Sequence, residues 1–186
     1  ISNVLCDGGP GNAPVACGAA PEVFIGTPTP KVTGAVSSTV TLFDRLSVYG
    51  LLDIKRGHKL LNANETNRCG ALLPLCDANY NPAGYETNYL ASLSRLSGGP
   101  AVIQGAFMQD ASFVRLAEVS VTYQLPSRFV SGIGASGGRL SVAGRNLHLW
   151  TDYGGLDPES RYGANGIDQA IIPPLQRFVA TLNLTF

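Results

Sequence analysis

The sequence predicts an all-β chain of antiparallel, up-and-down strands, about five of them, forming part of a transmembrane β-barrel with long extracellular loops. Three observations predict it. Apolar and polar residues alternate with period two in several long runs, whereas helical periodicity is scarce. The links between those runs alternate between short and long, which in an up-and-down sheet gathers every long link at one end. Charged residues make up only 14% against 45% hydrophobic, where an average soluble domain carries about 25% charge. Such a chain needs little water-facing surface.

Residues 1–29 read as irregular: Asp7-Gly8-Gly9-Pro10-Gly11-Asn12 is turn chemistry, and Pro14, Pro21, Pro28 and Pro30 interrupt any ladder. From Lys31 the first strand sets Val32, Gly34, Val36, Ser38, Val40 and Leu42 on one face, with Thr33, Ala35, Ser37, Thr39 and Thr41 on the other. Phe43-Asp44-Arg45 is short enough for a hairpin turn. The return strand alternates Leu46, Val48, Gly50, Leu52 and Ile54 against Ser47, Tyr49, Leu51, Asp53 and Lys55. Residues 30–60 therefore read as one hairpin. Residues 61–110, rich in Asn, Gly and Pro, read as a long loop in which Leu90 to Leu96 adds a helical turn or two; a loop of that length usually carries function.

Residues 111–186 hold three further strands. The first runs to Leu125, with Val119, Val121 and Tyr123 opposite Glu118, Ser120 and Thr122, and Pro126 ends it. The second spans Arg139 to Trp150; its alternation breaks at Asn146, Leu147 and Leu149, as at a bulge. A Gly/Asp/Pro-rich loop follows from Thr151 to about Leu175. The last strand, Arg177 to Phe186, alternates Phe178, Ala180, Leu182, Leu184 and Phe186 against Val179, Thr181, Asn183 and Thr185. Strands of this length meet the ~9–11 residues that a tilted strand needs to cross a bilayer.

Several functions are disfavoured by arithmetic. With 13 basic and 13 acidic residues the chain has no net field to steer nucleic acid. No run approaches the ~18 apolar residues of a membrane helix. Ile1 follows no Met and no signal-peptide pattern, so the chain is expected to be a processed product or part of a longer polypeptide. Cys6, Cys17, Cys69 and Cys76 lack metal-ligand spacing and have no adjacent His. Four cysteines allow three pairings, and spacing does not choose among them. The Gly, Pro and Asn around Cys6/Cys17 and around Cys69/Cys76 favour two locally stapled loops in an oxidising compartment.

The candidates for chemistry are sparse. His58 and His148 lie far apart in sequence and beside no cysteine. Gly134-Ala135-Ser136-Gly137-Gly138 satisfies G-x-S-x-G, and Gly132 to Gly137 satisfies G-x-G-x-x-G, but a strand rather than a helix follows both, so the run reads as a turn. Asp152, Asp157, Glu159, Asn165 and Asp168 crowd one loop, with no EF-hand spacing. Trp150, Tyr153 and Tyr162 beside them suit either sugar stacking or an interfacial aromatic girdle. Trp150, Tyr153, Tyr162, Asp157 and Glu159 are the substrate-binding candidates; no catalytic residue, metal or cofactor is expected.

The segment Phe113-Val114-Arg115-Leu116-Ala117-Glu118-Val119-Ser120-Val121-Thr122-Tyr123-Gln124-Leu125-Pro126 closely resembles one near the end of SusC/RagA-type TonB-dependent outer-membrane receptors. Gly144-Arg145-Asn146-Leu147 with Trp150-Thr151-Asp152-Tyr153, then Asp157-Pro158-Glu159, Gly166-Ile167-Asp168, and Pro174 with Arg177-Phe178, follow in that family's order, as does Ile25-Gly26-Thr27-Pro28-Thr29-Pro30-Lys31 upstream. The aromatic that the family places before Pro174 is missing. The resemblance implies the C-terminal segment of a plugged barrel of about 22 strands. It also implies energised import of oligomeric nutrients, glycans or peptides, with no bond broken. The partners it implies are the rest of the barrel and its plug, a SusD-like surface lipoprotein, TonB through the absent N-terminal part, and the outer-membrane lipid. Leu182, Leu184 and Phe186 match the ending that the barrel-assembly machinery reads. The rival reading is an extracellular structural or adhesive subunit that self-associates through two open β-edges.

Overall fold

The computed structural model describes residues 3–71, 74–96, 103–160, 165–169 and 171–186. Numbered in chain order, the strands and helices begin with β1 (Leu5–Cys6), β2 (Val15–Ala16), β3 (Val32–Leu42), β4 (Leu46–Arg56), β5 (Lys59–Asn62), α1 (Ala63–Gly70) and α2 (Thr87–Leu93). They continue with β6 (Met108–Asp110), β7 (Phe113–Leu125), α3 (Ser127–Val130), β8 (Gly137–Thr151), β9 (Ile167–Asp168) and β10 (Arg177–Thr185). Among the described residues no helix is long and apolar enough to cross a membrane, which says nothing about strands.

The chain divides into two compact units. One comprises Pro30–Gly57, Ser112–Asp152 and Pro174–Phe186. It is a five-stranded sheet in the order β10-β8-β7-β4-β3, antiparallel throughout. The meander is the one that the alternation of links requires. β3 and β4 pair in unbroken register from Val32↔Arg56 to Leu42↔Leu46. Phe43 and Asp44 close that hairpin with φ of 52° and 54°, and the Arg45 N–H donates to the Leu42 carbonyl at 3.2 Å. Two successive left-handed residues match the right-handed twist of the strands they join; a phenylalanine there carries a steric cost that Gly or Asn would not.

A bulge lies in the middle of the sheet. β8 steps from Arg145 to His148 while β7 steps from Glu118 to Leu116, so Asn146 and Leu147 stand against Ala117 alone. Asn146, at φ 53°, is the left-handed residue of the kink. Against β4, Ala117 is itself the extra residue, because Leu51 pairs with Glu118 and Leu52 with Leu116. Ala117 thus inverts the parity of β7: Val119, Val121 and Tyr123 share a face with Val114 and Leu116, and Arg115 shares one with Glu118.

The other unit comprises Ile1–Thr29, His58–Ala111 and Tyr153–Pro173. Its three-stranded sheet has the order β6-β5-β9, with β5 and β9 parallel. Leu61, Ala63 and Phe107 form one buried cluster, against which Tyr89, Leu93, Leu96, Met108 and Ile167 pack. Tyr89, Leu90 and Leu93 lie at helical spacing and also cover the Cys69, Cys76 and Ala78 cluster, so one face of α2 serves both. Cys69 and Cys76 are joined, as are Cys6 and Cys17, the latter beside the β1–β2 pair.

The described residues between 61 and 110 hold more regular structure than the loop that composition suggests. α1 escapes a periodicity search because it is polar, with only Ala63 and Cys69 buried. Its signal is a cap: the Asn62 side chain accepts the Glu65 N–H at 3.1 Å, a contact worth about 1 kcal/mol in typical helices. α2 begins at Thr87 and ends at Leu93, earlier than the turn expected over Leu90 to Leu96. β5, β6 and β9, with four residues or fewer, are too short to show a period.

Candidate functional site

The sheet has two chemically opposite faces, and its register states which residues share each row. On one face Thr41, Ser47, Thr122, Ser141 and Thr181 stand side by side across all five strands. The hydroxyls of Thr41 and Ser47 lie 3.2 Å apart and those of Thr122 and Ser141 3.1 Å apart, a cross-strand ladder of hydrogen bonds. Two rows further on, Ser37, Leu51, Glu118, Arg145 and Arg177 align, and the Arg145 Nε donates to Glu118 at 2.8 Å. Beyond them Asp53 pairs with Arg115, and the Lys55 and Arg115 cations lie over the Phe113 ring at 5.6 and 5.3 Å.

The opposite face is hydrocarbon. Val40, Val48, Val121, Val142 and Ala180 form one row, and Leu42, Leu46, Tyr123, Leu140 and Leu182 the next. These side chains are uncovered: Val40 is 53% exposed, Val142 48% and Leu182 57%. Water-soluble chains rarely leave so continuous an apolar surface open. Gly34, Ile54, Val114 and Trp150 share a row on this same face, near the end from which the long links depart. Trp150 is half exposed and meets His148 edge-on at 4.5 Å between ring centres.

The loop unit holds a polar network instead. The Tyr153 hydroxyl donates to one oxygen of Asp168 at 2.8 Å, and the Asn64 amide donates to the other at 3.1 Å. Glu65 accepts from the Tyr89 hydroxyl and, at 3.2 Å, from the Gln109 amide, whose oxygen takes the Gly154 N–H at 2.9 Å. Burial raises the Asp168 carboxyl above the usual carboxylate range, and the charge of Asp157 adds to the rise, against the pull of its two side-chain donors. Burial likewise raises Tyr153, with its bond to Asp168 second, and raises Tyr89, with its bond to Glu65 second. A Cβ on Gly155 would collide with the Tyr153 ring and the Asp168 carboxylate, so only glycine fits there. Beside the network, Asn62, Asn64, Glu65, Arg68, Gly154, Gly155 and Leu156 line an open cleft of about 290 Å³.

The expected substrate residues separate. Trp150 belongs to the sheet; Tyr153, Asp157 and Glu159 belong to the loop unit, and Tyr162 lies outside the described residues. Tyr153 and Asp157 are buried, the latter accepting the Glu159 N–H at 2.8 Å in a local turn. Among the described residues no group of three His, Cys, Asp or Glu gathers as metal ligands. Ser136 is a fastener rather than a nucleophile: its N–H and hydroxyl both donate to the Thr185 carbonyl, at 2.7 and 3.0 Å. His58 and His148 fall in different units. The network around Glu65 was missed because its members are spread over the chain; only the Asn62-x-x-Glu65 cap advertised it.

No protein-family model matches the chain. Over 185 residues it is 29% identical to TonB-dependent receptor P3 of Formosa agariphila, a match covering 88% of this chain and 17% of the receptor. Over 102 residues it is 30% identical to TonB-dependent receptor P26 of the same organism, covering 48% of this chain and 10% of that one. This chain is related to the TonB-dependent receptors. Solved structures agree on the fold. The RagAB peptide importer in its open-open state superimposes with a TM-score of 0.61 at 24% identity, over 85% of this chain and 17% of that one. Its closed-closed state gives 0.59 at 23%, over 86% and 18%. The meander therefore matches, in fold, an all-β fragment of such a receptor barrel, as the SusC/RagA resemblance implied, and this chain spans about a sixth or less of the receptors it matches. Those relatives are named receptors and an importer, not enzymes.

Proposed function

We propose that this chain is the C-terminal barrel segment of a TonB-dependent outer-membrane transporter that imports oligomeric nutrients, glycans or peptides. The observation that carries the reading is the two-faced sheet: five strands whose one face is an open Val/Leu surface and whose other is hydroxyl and charge. Lipid suits the first and a water-filled lumen the second. The loop unit then stands on the extracellular side, where its two disulfides meet an oxidising medium. Trp150, on the apolar face at that end, belongs to an aromatic girdle, and Glu159, only partly buried, remains the candidate of its loop for contact with cargo. Tyr153 and Asp157 act by holding the loop in shape. The remaining barrel strands, a plug, a SusD-like lipoprotein lid and TonB complete the machine as proposed partners.

Neighbouring positions on β8 test this. A fluorophore on Cys at Val142 should be quenched by a lipid-dissolved nitroxide, and one on Cys at Ala143 by a water-soluble quencher. Equal quenching of both labels by the aqueous quencher would remove the barrel reading. The second reading, a self-assembling extracellular subunit, is favoured by the two sheet edges, β3 and β10, which no strand among the described residues pairs. An intact mass several times 19.5 kDa supports the receptor, and a mass near 19.5 kDa the subunit.

A further inference from the structure

We infer that the polar face carries a carboxylate-binding site built on Arg177 and Arg145. The two arginines are directly opposite each other on β10 and β8. Like charges in that position destabilise a sheet unless an anion lies between or beside them. Glu118 stands next in the row but engages Arg145, at 2.8 Å. Among the described residues no carboxylate pairs with Arg177, so the row holds two guanidinium groups and one carboxylate. Neighbouring rows supply no surplus acid: Asp53 lies opposite Arg115 and 4.0 Å from Lys55.

The surroundings suit a ligand. Arg145 and Arg177 form one end of an open hollow of about 340 Å³, Ala143 and Val179 its apolar middle, and Ser141 and Thr181 its far end. Two planar forks at one end bind a carboxylate through charge-assisted bonds. Two hydroxyls four residues away along each strand, roughly 13 Å at ~3.3 Å per residue, accept or donate to a neutral polar group. The occupant is a carboxylate-bearing molecule with polar groups along its length, so cargo with a free acid is favoured over its neutral counterpart. This rests on the polar face being the lumen wall.

Citrate serves as the probe, titrated calorimetrically into the purified full-length protein against sodium chloride of matched ionic strength. The wild type should bind it, Arg177→Gln should weaken binding about tenfold or more, as expected for one lost charged hydrogen-bond pair, and Arg177→Lys should retain part of it. Arg128→Gln, on the connector at the opposite end of the sheet, should bind as wild type. No citrate binding beyond the salt control, or equal binding by wild type and Arg177→Gln, overturns the site, the first result also covering a carboxylate supplied by a neighbouring part of the receptor. If the Ala143 label meets water while citrate fails, this inference alone falls; if that label meets lipid, the barrel reading falls with it.

Discussion

Tyr153 shows how a residue that looks like a binding platform becomes a structural donor. Its ring is buried against Leu60 and Ala111, and its hydroxyl donates to Asp168. Ionising it would place a second negative charge beside that carboxylate in a desolvated site, so the phenol keeps its proton well past the usual value near 10. Tyr89 does the same beside Glu65. The unfolded chain releases these protons near pH 10 while the folded chain retains them, so their contribution is complete below that pH and is lost as pH rises through the elevated folded values. In an alkaline titration followed by tyrosinate absorbance, Tyr89 and Tyr153 should ionise only as the fold is lost. Ionisation of Tyr89 and Tyr153 near pH 10 with the fold intact would count against the network.

At the scale of elements, adjacent residues on one strand face opposite solvents. Leu182 lies in a hydrocarbon row and Thr181 in the hydroxyl row. Replacing Leu182 by Arg should cost about 2–4 kcal/mol near the bilayer midplane, and the same change at Thr181 much less. Folding titrations into lipid vesicles measure both, and equal costs would favour a soluble sandwich. The disulfides act on a smaller range. Cys69–Cys76 closes a separation of seven residues, for which the chain-entropy model gives about 2–3 kcal/mol. Paired Ser substitution should therefore loosen α1 and the turn after it, read by hydrogen exchange, while protection in β7 and β8 stays unchanged.

For the whole molecule, the division of labour is between a unit with a core and a sheet without one. Most of the buried apolar side chains, Leu60, Leu61 and Phe107 among them, belong to the loop unit, whereas the sheet leaves Val36, Val121, Val142 and Leu182 open. A sheet of this kind reaches stability when lipid covers one face and further strands pair its edges. The proposed assembly signal lies on the last of those edges. Deleting Phe186 from the full-length receptor should abolish outer-membrane insertion, measured by membrane fractionation, whereas the subunit reading expects secretion to continue with weaker assembly. Normal insertion of the deletion would refute the role given to Leu182, Leu184 and Phe186.

By itself the sequence determined the five long strands, their order and, between bulges, which residues share a face, because period-two alternation is a local property of ten or more residues. It also held the bulge at Asn146, where alternation breaks, and the family resemblance. What it could not display were relations between distant positions. Ala117 inverts the parity of β7, yet nothing in Leu-Ala-Glu marks it; the extra residue is defined only against the registers of β4 and β8. The polar helix α1 has a cap but no apolar stripe, so its packing decides its place. The Asn64–Asp168 bond and the Glu65 network join side chains up to 104 residues apart, and the Arg145–Arg177 opposition exists only once β8 and β10 are aligned. Local alternation fixes elements one at a time, while a site is made by the pairing register and by burial, which belong to the fold as a whole.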